Sequence, residues 1–308
     1  MALFRYRLVN VFAAEPLLAG SALSGNPLCV FEDARGLGVR EMMALTRQFN
    51  LSETSFLLPP SDASTADARL RIFTPTHDPA LAEMPFAGHP TLGSAHVLRA
   101  MLGTVDRVTF ELPAGRVGVD AAGDVLTLTA PFEGEPRVRR EELPEAKVAA
   151  MLGLDPEDLA GPPVWVDTGV EQFLVPLKTT AAVRKAAPSS ADLDHWPRSL
   201  SGRSNAYVFA FSDDEAEGRR QVMARFFIQA PGSGLYEDPG TGSACANLGG
   251  WLLHTQARLP VRVQVEQGID MQRPCRLLLE VADARVRVGG KVVEVATGTV
   301  TLNPTRAP

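Results

Sequence analysis

The sequence is poor in cysteine and has no long apolar run, and these two absences exclude several classes of protein. Only three of its 308 residues are cysteine. Cys29, Cys245 and Cys275 are widely spaced and form no C-x-x-C pair, so we expect free thiols in a reducing cytoplasm. No stretch of about 18 consecutive apolar residues occurs, so no transmembrane helix is predicted. The N-terminal segment also lacks the pattern of a signal peptide.

Positive charge is scarce as well. The chain carries 30 Lys and Arg residues against 36 Asp and Glu residues, which gives a net charge of −6. Nucleic acids and anionic membranes require a basic face, so neither is expected as a partner. A small anionic substrate is compatible with this charge, because a site can be locally positive on an acidic protein. The length suits two domains of about 150 residues each.

What the sequence does contain is a pair of similar Gly-rich turns, each followed by an apolar segment of helical length. The first is Gly88–Ala95 and the second is Asp238–Ala244. Aligned on their Gly-Ser-Ala motifs, which begin at Gly93 and Gly242, they lie 149 positions apart (242 − 93). A turn that begins a helix presents backbone N–H groups and the positive end of the helix dipole to an anion. We therefore predict a duplicated architecture that holds one carboxylate-sized ligand between its halves.

Strand patterns dominate both halves, with one apolar helix in each. The clearest strand segments of the first half are 6–12, 26–31, 54–58, 69–73, 109–112, 116–119 and 125–129. Arg40–Asn50 has helical spacing, and Arg139–Leu152 is a charged helix candidate. This pattern predicts an α+β fold of two domains, each a curled, mostly antiparallel sheet around a central helix. We place the N-terminal domain at 1–130, with a C-terminal strand at 292–303 as a candidate addition, and the C-terminal domain at 131–291.

Several motifs occur in the order found in the PhzF-like phenazine-biosynthesis proteins, which the chain resembles over nearly its whole length. They are Gly25-Asn26-Pro27, Asn50–Phe56, Arg71–Pro75, Phe86–Gly93, Glu237–Ala244 and Gln267-Gly268. The resemblance implies a diaminopimelate epimerase-like fold with two similar domains and an active site in the cleft between two central helices. It further implies no cofactor, no metal, a homodimer, and an isomerase that moves a proton on a dihydro-hydroxyanthranilate-like acid.

Glu53 matches the catalytic glutamate of that family. It lies between a helix end and an apolar strand, away from any solvated helical face. A glutamate that acts as a general base needs its pKa raised from about 4.3 by partial burial or by a neighbouring carboxylate, which Asp238 could supply. The alternative interpretation is that Glu53 only caps a turn together with Ser52.

His89 stands at the beginning of the first apolar helix, where it can hydrogen-bond a substrate carboxylate or relay a proton. A helix N-terminus disfavours the imidazolium, so we expect a neutral imidazole. The alternative is a structural cap that is hydrogen-bonded to a loop. No His-Glu-x-x-His spacing accompanies it, so no metal site is predicted.

Gly242 and Ser243 match the residues that bind the substrate carboxylate in the family, and Gly88 is expected to help orient the same group. Their backbone N–H groups and the Ser243 hydroxyl are the donors, and charge-assisted hydrogen bonds of this kind contribute about 1.5–3 kcal/mol each. The alternative is that these small residues serve only close helix packing. Ser243 is disfavoured as a nucleophile, because its context is not Gly-x-Ser-x-Gly.

The racemases and epimerases of this fold use two cysteines, one at the beginning of each central helix. Here the corresponding positions hold Ala87 or His89 in the first half and Gly240 in the second, and Cys245 follows several residues too late. The absence of a thiol pair favours a proton shift centred on one glutamate.

The sequence therefore predicts a cofactor-free isomerase in which Glu53 moves the proton and Asp238 and His89 assist. Two alternatives stay open: an epimerase or racemase without the cysteine pair, and a non-catalytic protein that binds small acids. Residues 76–85 form a longer connection than is usual in the family and are a candidate lid.

Overall fold

The structure is a computed structural model, and it describes residues 1–14, 23–132, 134–189, 195–230 and 234–302. The chain forms two compact units, Met1–Leu128 with Gly289–Pro308, and Thr129–Val288. We call them the first and the second unit. That these units are the two similar domains expected from the sequence stays a prediction. Among the described helices, none is both long enough and apolar enough to cross a membrane.

The first unit is rich in strands, as the sequence patterns predicted. Its strands are β1 Ala2–Val11, β2 Asn26–Phe31, β3 Thr54–Leu58, β4 Ala68–Phe73, β5 Glu83–Met84, β6 Arg107–Leu112, β7 Gly115–Ala122 and β8 Val125–Thr129. Its helices are α1 Val39–Phe49, α2 Pro79–Ala82 and α3 Gly88–Leu102. The candidate lid at 76–85 thus contains the short helix α2 and the strand β5. Helix α1 ends where Asn50 adopts the left-handed conformation (φ 51°), which Asn tolerates well.

The second unit has the same composition of elements. Its strands are β9 Arg137–Arg140, β10 Val164–Asp167, β11 Glu171–Pro176, β12 Ser204–Ala216, β13 Arg219–Ala230, β14 Gly234–Asp238, β15 Val261–Gln267 and β16 Cys275–Ala282. Its helices are α4 Glu145–Met151, α5 Thr180–Lys185 and α6 Gly242–His254. The final strand, β17 Arg285–Leu302, continues from the second unit into the C-terminal part of the first. Residue 303 of the predicted final strand lies outside the described residues.

The helix predicted over Arg139–Leu152 is shorter than expected. Its first residues belong to β9, which pairs antiparallel with β10. Pro144 then occupies the N-cap, so helix α4 begins only at Glu145. The charged composition of this segment did not indicate a strand, because β-propensity depends strongly on the partner strand, here β10.

The strands of the first unit pair in a closed order around a central helix. The order is β1, β2, β3, β4, β6, β7, β8, and β17 pairs with both β8 and β1. The β2–β3 and β4–β6 pairs are parallel, and β1–β2, β3–β4, β6–β7 and β7–β8 are antiparallel. Helix α3 packs against β1, β2, β3, β4, β6 and β7. Most of its residues are therefore buried, which explains why its apolar residues are not confined to one face.

The second unit repeats this topology. Strands β10 to β16 pair in the same pattern as β1 to β7, including the parallel pairs β11–β12 and β13–β15. Helix α6 packs against β9, β10, β11 and β16. The α+β class predicted from the sequence is confirmed.

The structure corrects the alignment of the two halves. Helices α3 and α6 begin at Gly88 and Gly242, which are 154 positions apart (242 − 88) rather than 149. The same offset relates an ion pair of each unit, Arg71–Glu83 (2.5 Å) and Arg225–Glu237 (2.8 Å). Alignment on the Gly-Ser-Ala motifs was wrong because it matched Gly93, in the second turn of α3, with the first residue of α6.

The repeated ion pairs tie each central helix to its sheet. Arg71 lies on β4, stacks over Phe73 and forms two hydrogen bonds with Glu83 on β5. Arg225 on β13 makes the corresponding contacts with Phe227 and Glu237 on β14. Each glutamate lies five residues before the first residue of a central helix (88 − 83 and 242 − 237). Both pairs therefore hold the short strand that leads into the helix N-terminus.

Helix α3 approaches β1 and β2 closely at Gly93. A Cβ atom at this position would lie 2.5 Å from Leu28 Cδ2, 3.0 Å from Val11 Cγ2 and 3.1 Å from Val9 Cγ2. All three neighbours are fully buried and packed on other side chains. The glycine is therefore required by a close approach, without any need for a left-handed backbone.

We expect Gly93→Ala to destabilise the protein by about 1–3 kcal/mol, because the added methyl group overpacks a closed core. Urea unfolding of both proteins measures the difference. Gly161→Ala is the matched control, since no atom lies within 4 Å of a Cβ there. Equal stability of Gly93→Ala and the unaltered chain would contradict the close packing of α3.

Candidate active site

The first unit places two of the predicted site residues in contact. Glu53 lies between α1 and β3, and its Oε2 atom is 3.4 Å from Nε2 of His89 in the first turn of α3. The side chains of His89 and Glu53 are only 8% and 16% exposed. The local sequence explains the geometry: the left-handed Asn50 ends α1 and turns the chain so that Glu53 immediately precedes a buried strand.

The hydrogen bonds of His89 define its tautomer. One ring nitrogen is hydrogen-bonded to the backbone of Pro27, and since proline has no N–H, the imidazole is the donor to the Pro27 carbonyl oxygen. Nε2 has no hydrogen-bond partner within the described residues. The donor is therefore Nδ1. A neutral His89 consequently directs the lone pair of Nε2 at Glu53.

Burial keeps His89 neutral. It lowers the pKa of His89 from 6.5 to about 3, and the hydrogen bond to Pro27 only partly opposes that shift. The neutral imidazole expected at a helix N-terminus agrees with this result. Nε2 of the neutral imidazole lies 3.4 Å from Oε2 of Glu53, so it can accept a hydrogen bond from that carboxyl group whenever the group is protonated.

The second unit holds Asp238 in a network of its own. Asp238 is the last residue of β14, is 8% exposed, and its carboxylate accepts a hydrogen bond from the Thr241 hydroxyl. Gln267 donates from Nε2 to the Asp238 carbonyl oxygen (2.8 Å) and to Thr241 Oγ1 (3.1 Å). The next residue, Gly268 (φ +75°), has no space for a side chain, because a Cβ would lie 2.4 Å from the Arg273 carbonyl oxygen. The Gln267-Gly268 motif thus fixes the turn that leads into α6.

The first turn of α6 presents hydrogen-bond donors. The Cys245 N–H forms the first intrahelical bond, to the Thr241 carbonyl oxygen (3.0 Å), so the N–H groups of Gly242, Ser243 and Ala244 precede the helical ladder. Ser243 is partly exposed, whereas Gly242 and Ala244 are buried. These amides and the Ser243 hydroxyl can bind an anion.

The first turn of α3 differs from that of α6. Gly88 is its first residue, the Thr91 N–H donates to the Ala87 carbonyl oxygen, and Pro90 has no N–H to offer. Only Gly88 and His89 therefore supply amides that precede the helical ladder. This end of the first unit has fewer donors than the beginning of α6.

Sequence reasoning did not identify two residues near Ser243: Gln172, which contacts it directly, and Asn247, which contacts it through Gln172. Gln172 on β11 donates from Nε2 to Ser243 Oγ (2.8 Å), and Asn247 on α6 donates from Nδ2 to Gln172 Oε1 (2.7 Å). The available signal was polarity in an apolar context: Asn247 is the one side-chain amide in α6, and buried polar groups are nearly always hydrogen-bonded.

The cysteines are poorly suited to proton transfer. Cys29 and Cys245 are completely buried, and this burial raises the pKa of both thiols well above the usual range. Thiolate chemistry would therefore be disfavoured at either residue. Within the described residues, no group of three or more His, Cys, Asp or Glu side chains is arranged to hold a metal ion.

The neutral state of His89 should make stability depend on pH. His89 stays neutral in the folded protein down to about pH 3 but is protonated in the unfolded chain below about 6.5, so the unfolded state binds more protons in this window. Stability therefore rises with pH between these values, by at most about 1.4 kcal/mol per pH unit from this group. We expect His89→Asn to have a flatter profile of unfolding free energy from pH 7 to pH 4.

The control is His77→Asn, which makes the same substitution at an exposed histidine. Parallel profiles for His89→Asn and the unaltered protein would show that His89 does not stay neutral when buried.

Comparison with known proteins gives consistent matches over nearly the whole chain. The family described as phenazine biosynthesis-like protein (PhzC-PhzF) matches residues 9–298. An uncharacterized isomerase of Pasteurella multocida is 35% identical, over 96% of this chain and 93% of its own length. The trans-2,3-dihydro-3-hydroxyanthranilate isomerase of Pseudomonas aeruginosa is 33% identical, over 95% of each chain.

A solved structure agrees with the fold. The crystal structure of a PhzF-family phenazine biosynthesis protein of Bacillus anthracis has a TM-score of 0.79 to this chain, with 23% identity. The match covers 98% of this chain and 100% of the other. At this identity the match establishes the shared fold.

Proposed function

The chain is an isomerase of the phenazine biosynthesis-like (PhzC-PhzF) family, and we propose that it shifts a proton on a small carboxylic acid with Glu53 as general acid and base. The observation that carries the proposal is the buried contact of Glu53 Oε2 with His89 Nε2. It supplies a carboxyl group next to a neutral imidazole that can accept a hydrogen bond from it.

In this mechanism Glu53 takes a proton from carbon and returns it to another carbon of the same substrate. His89 assists as a neutral imidazole, whose Nε2 can accept a hydrogen bond from the protonated carboxyl group and so orient it. Burial of both side chains makes the interactions stronger than they would be in solvent, while the 16% exposure of Glu53 allows its proton to exchange with water.

We assign the acid group of the substrate to Gly242 and Ser243, with Gly88 as a further amide donor and Asp238 as an assisting carboxyl group. The donors of the first turn of α6 support this assignment, because the helix dipole favours a carboxylate there. Asp238 is held by Thr241, so its carboxyl group has a fixed orientation.

The two units do not offer equivalent bases. Ser55 pairs with Ile72 and Tyr207 pairs with Phe226, and Ile72 and Phe226 are related by the repeat, so the position of Glu53 corresponds to Asn205. Asn205 cannot ionise, and its Oδ1 accepts a hydrogen bond from the Phe173 N–H (3.0 Å). One ionisable residue where a symmetric epimerase would need two supports a one-base proton shift.

The proposed substrate resembles trans-2,3-dihydro-3-hydroxyanthranilate, the compound in the name of the Pseudomonas aeruginosa relative. We expect the protein to incorporate deuterium from heavy water into this compound or into another small cyclic unsaturated acid. Glu53→Gln should slow that exchange by about 10²–10⁴-fold, the usual contribution of general acid–base catalysis, with substrate binding largely retained. NMR or mass spectrometry measures the label.

Glu145→Gln is the control, since Glu145 is an exposed residue of α4. Equal exchange by Glu53→Gln and the unaltered protein would remove Glu53 as the base. Inversion at a single stereocentre would instead identify an epimerase, and binding without exchange of any acid would identify a non-catalytic acid-binding protein. The homodimer and the cytoplasmic location expected from the sequence stay predictions.

A further inference from the structure

We propose that Gln172 and Asn247 are positioning residues that fix Ser243 as a hydrogen-bond donor toward its ligand. The pair thereby selects a ligand group that accepts hydrogen bonds, such as a carboxylate, over one that donates them. This inference rests on the proposed function, in which Ser243 binds the acid group of the substrate, and it adds two residues that recognise the acid indirectly.

The orientation of the Asn247 side chain is set by a backbone group. The Thr168 N–H donates to Asn247 Oδ1 (2.9 Å), and the Thr168 hydroxyl lies 2.7 Å from the same atom. A backbone N–H can only donate, so the oxygen of the amide must face Thr168. Nδ2 then points the other way and donates to the Val170 carbonyl oxygen (2.8 Å) and to Gln172 Oε1 (2.7 Å).

The orientation of Gln172 follows from that of Asn247. Because Asn247 Nδ2 donates to Gln172 Oε1, the opposite end of the Gln172 amide, Nε2, faces Ser243 Oγ at 2.8 Å. Nε2 can only donate, so Ser243 Oγ is the acceptor of this bond. The hydroxyl of Ser243 has one proton, which Gln172 cannot accept and which is therefore available to a ligand.

Burial makes this arrangement rigid. Asn247 is 0% exposed, Thr168 is 3% exposed and Gln172 is 4% exposed. Reversing either amide would set donors against donors or acceptors against acceptors in a site without solvent, which is costly. Ser243 is the partly exposed end of the chain of hydrogen bonds. Its proton and the amides at the beginning of α6 are all donors, so the group they bind must be an acceptor.

The first unit has no corresponding chain of side-chain amides at the positions equivalent to Asn247 and Ser243. By the 154-residue repeat, Asn247 corresponds to Gly93 and Ser243 corresponds to His89. Gly93 has no side chain, and Leu28 occupies the space next to it. His89 donates to the Pro27 carbonyl oxygen, so its second ring nitrogen, Nε2, remains as an acceptor. Ser243 is the opposite case, because its oxygen accepts from Gln172 and its proton remains as a donor. The chain of amides is therefore particular to the second unit.

The first test needs no ligand. In the protein as isolated, we expect the side-chain amide protons of Asn247 and Gln172 to exchange slowly with heavy water, as measured by ¹H–¹⁵N NMR with assignment by substitution. Fast exchange of either amide would overturn the inference whatever the substrate is.

The second test uses a matched pair of unreactive probes, 3-hydroxyanthranilate and 3-hydroxyanthranilamide, with affinities measured by calorimetry. The unaltered protein is expected to prefer the acid by about 10–100-fold, the value of one charge-assisted hydrogen bond. In Gln172→Glu, one carboxylate oxygen accepts from Asn247 and the other accepts the Ser243 proton, which turns the hydroxyl away from the ligand. The preference for the acid should fall.

A double-mutant cycle separates this effect from simple charge repulsion. Gln172→Glu in a Ser243→Ala background adds the same negative charge but has no hydroxyl proton to redirect. We expect the acid preference to fall about tenfold further when Ser243 is present, the usual value of one hydrogen bond. Gln264→Glu, a buried Gln of β15 that is hydrogen-bonded to Gln221, is the control and should keep the preference of the unaltered protein. If Gln172→Glu does not fold, Asn247→Asp can replace it in the same cycle. An aspartate at 247 can only accept, so the Gln172 amide turns its Nε2 to residue 247 and its Oε1 to the Ser243 hydroxyl.

Equal losses in both backgrounds would mean repulsion alone and would overturn the inference, while the proposed function would stand. Conversely, a larger loss with Ser243 present, together with unchanged deuterium exchange in Glu53→Gln, would support the inference and refute Glu53 as the base. The two proposals thus fail by different measurements.

Discussion

The N-terminus of a buried central helix is the constraint on which the rest of the structure depends. The first N–H groups of any helix have no intrahelical partner, and burial deprives them of water. Helix α3 reduces this cost with Pro90, which has no N–H, whereas α6 has no proline in its first turn and keeps all its N–H donors. The ion pairs of Arg71 and Arg225 hold the short strands that lead into these helix beginnings.

A repeated scaffold carries different side chains at equivalent positions in the two units. At one equivalent position, His89 presents an acceptor and Ser243 presents a donor. At another, Glu53 is ionisable, whereas the equivalent Asn205 is not and accepts a hydrogen bond from the Phe173 N–H. The backbone repeat supplies similar geometry, and the substitutions within it give the two units different ionisable and hydrogen-bonding groups.

Local patterns in the sequence were sufficient to predict the strands of the first unit other than β5, the end of α1 at Asn50 and the Gly-rich beginning of α6. They did not predict the register of the repeat, because the same Gly-Ser-Ala motif occurs in the second turn of α3 and at the first residue of α6. They also failed at β9, where the identity of the strand depends on pairing with β10. Both failures concern contacts between residues far apart in the chain.

The sequence by itself determined the class of fold, the Gly-rich helix beginnings and, through resemblance, the identity of Glu53 as the candidate base. Only the tertiary structure decided which atom faces that carboxylate and which way the Ser243 proton points. The tautomer of His89 depends on the Pro27 carbonyl oxygen, and the Ser243 hydroxyl depends on the Thr168 N–H through two buried amides. Hydrogen-bond direction follows from donors and acceptors that folding brings together, so no local pattern of residues encodes it.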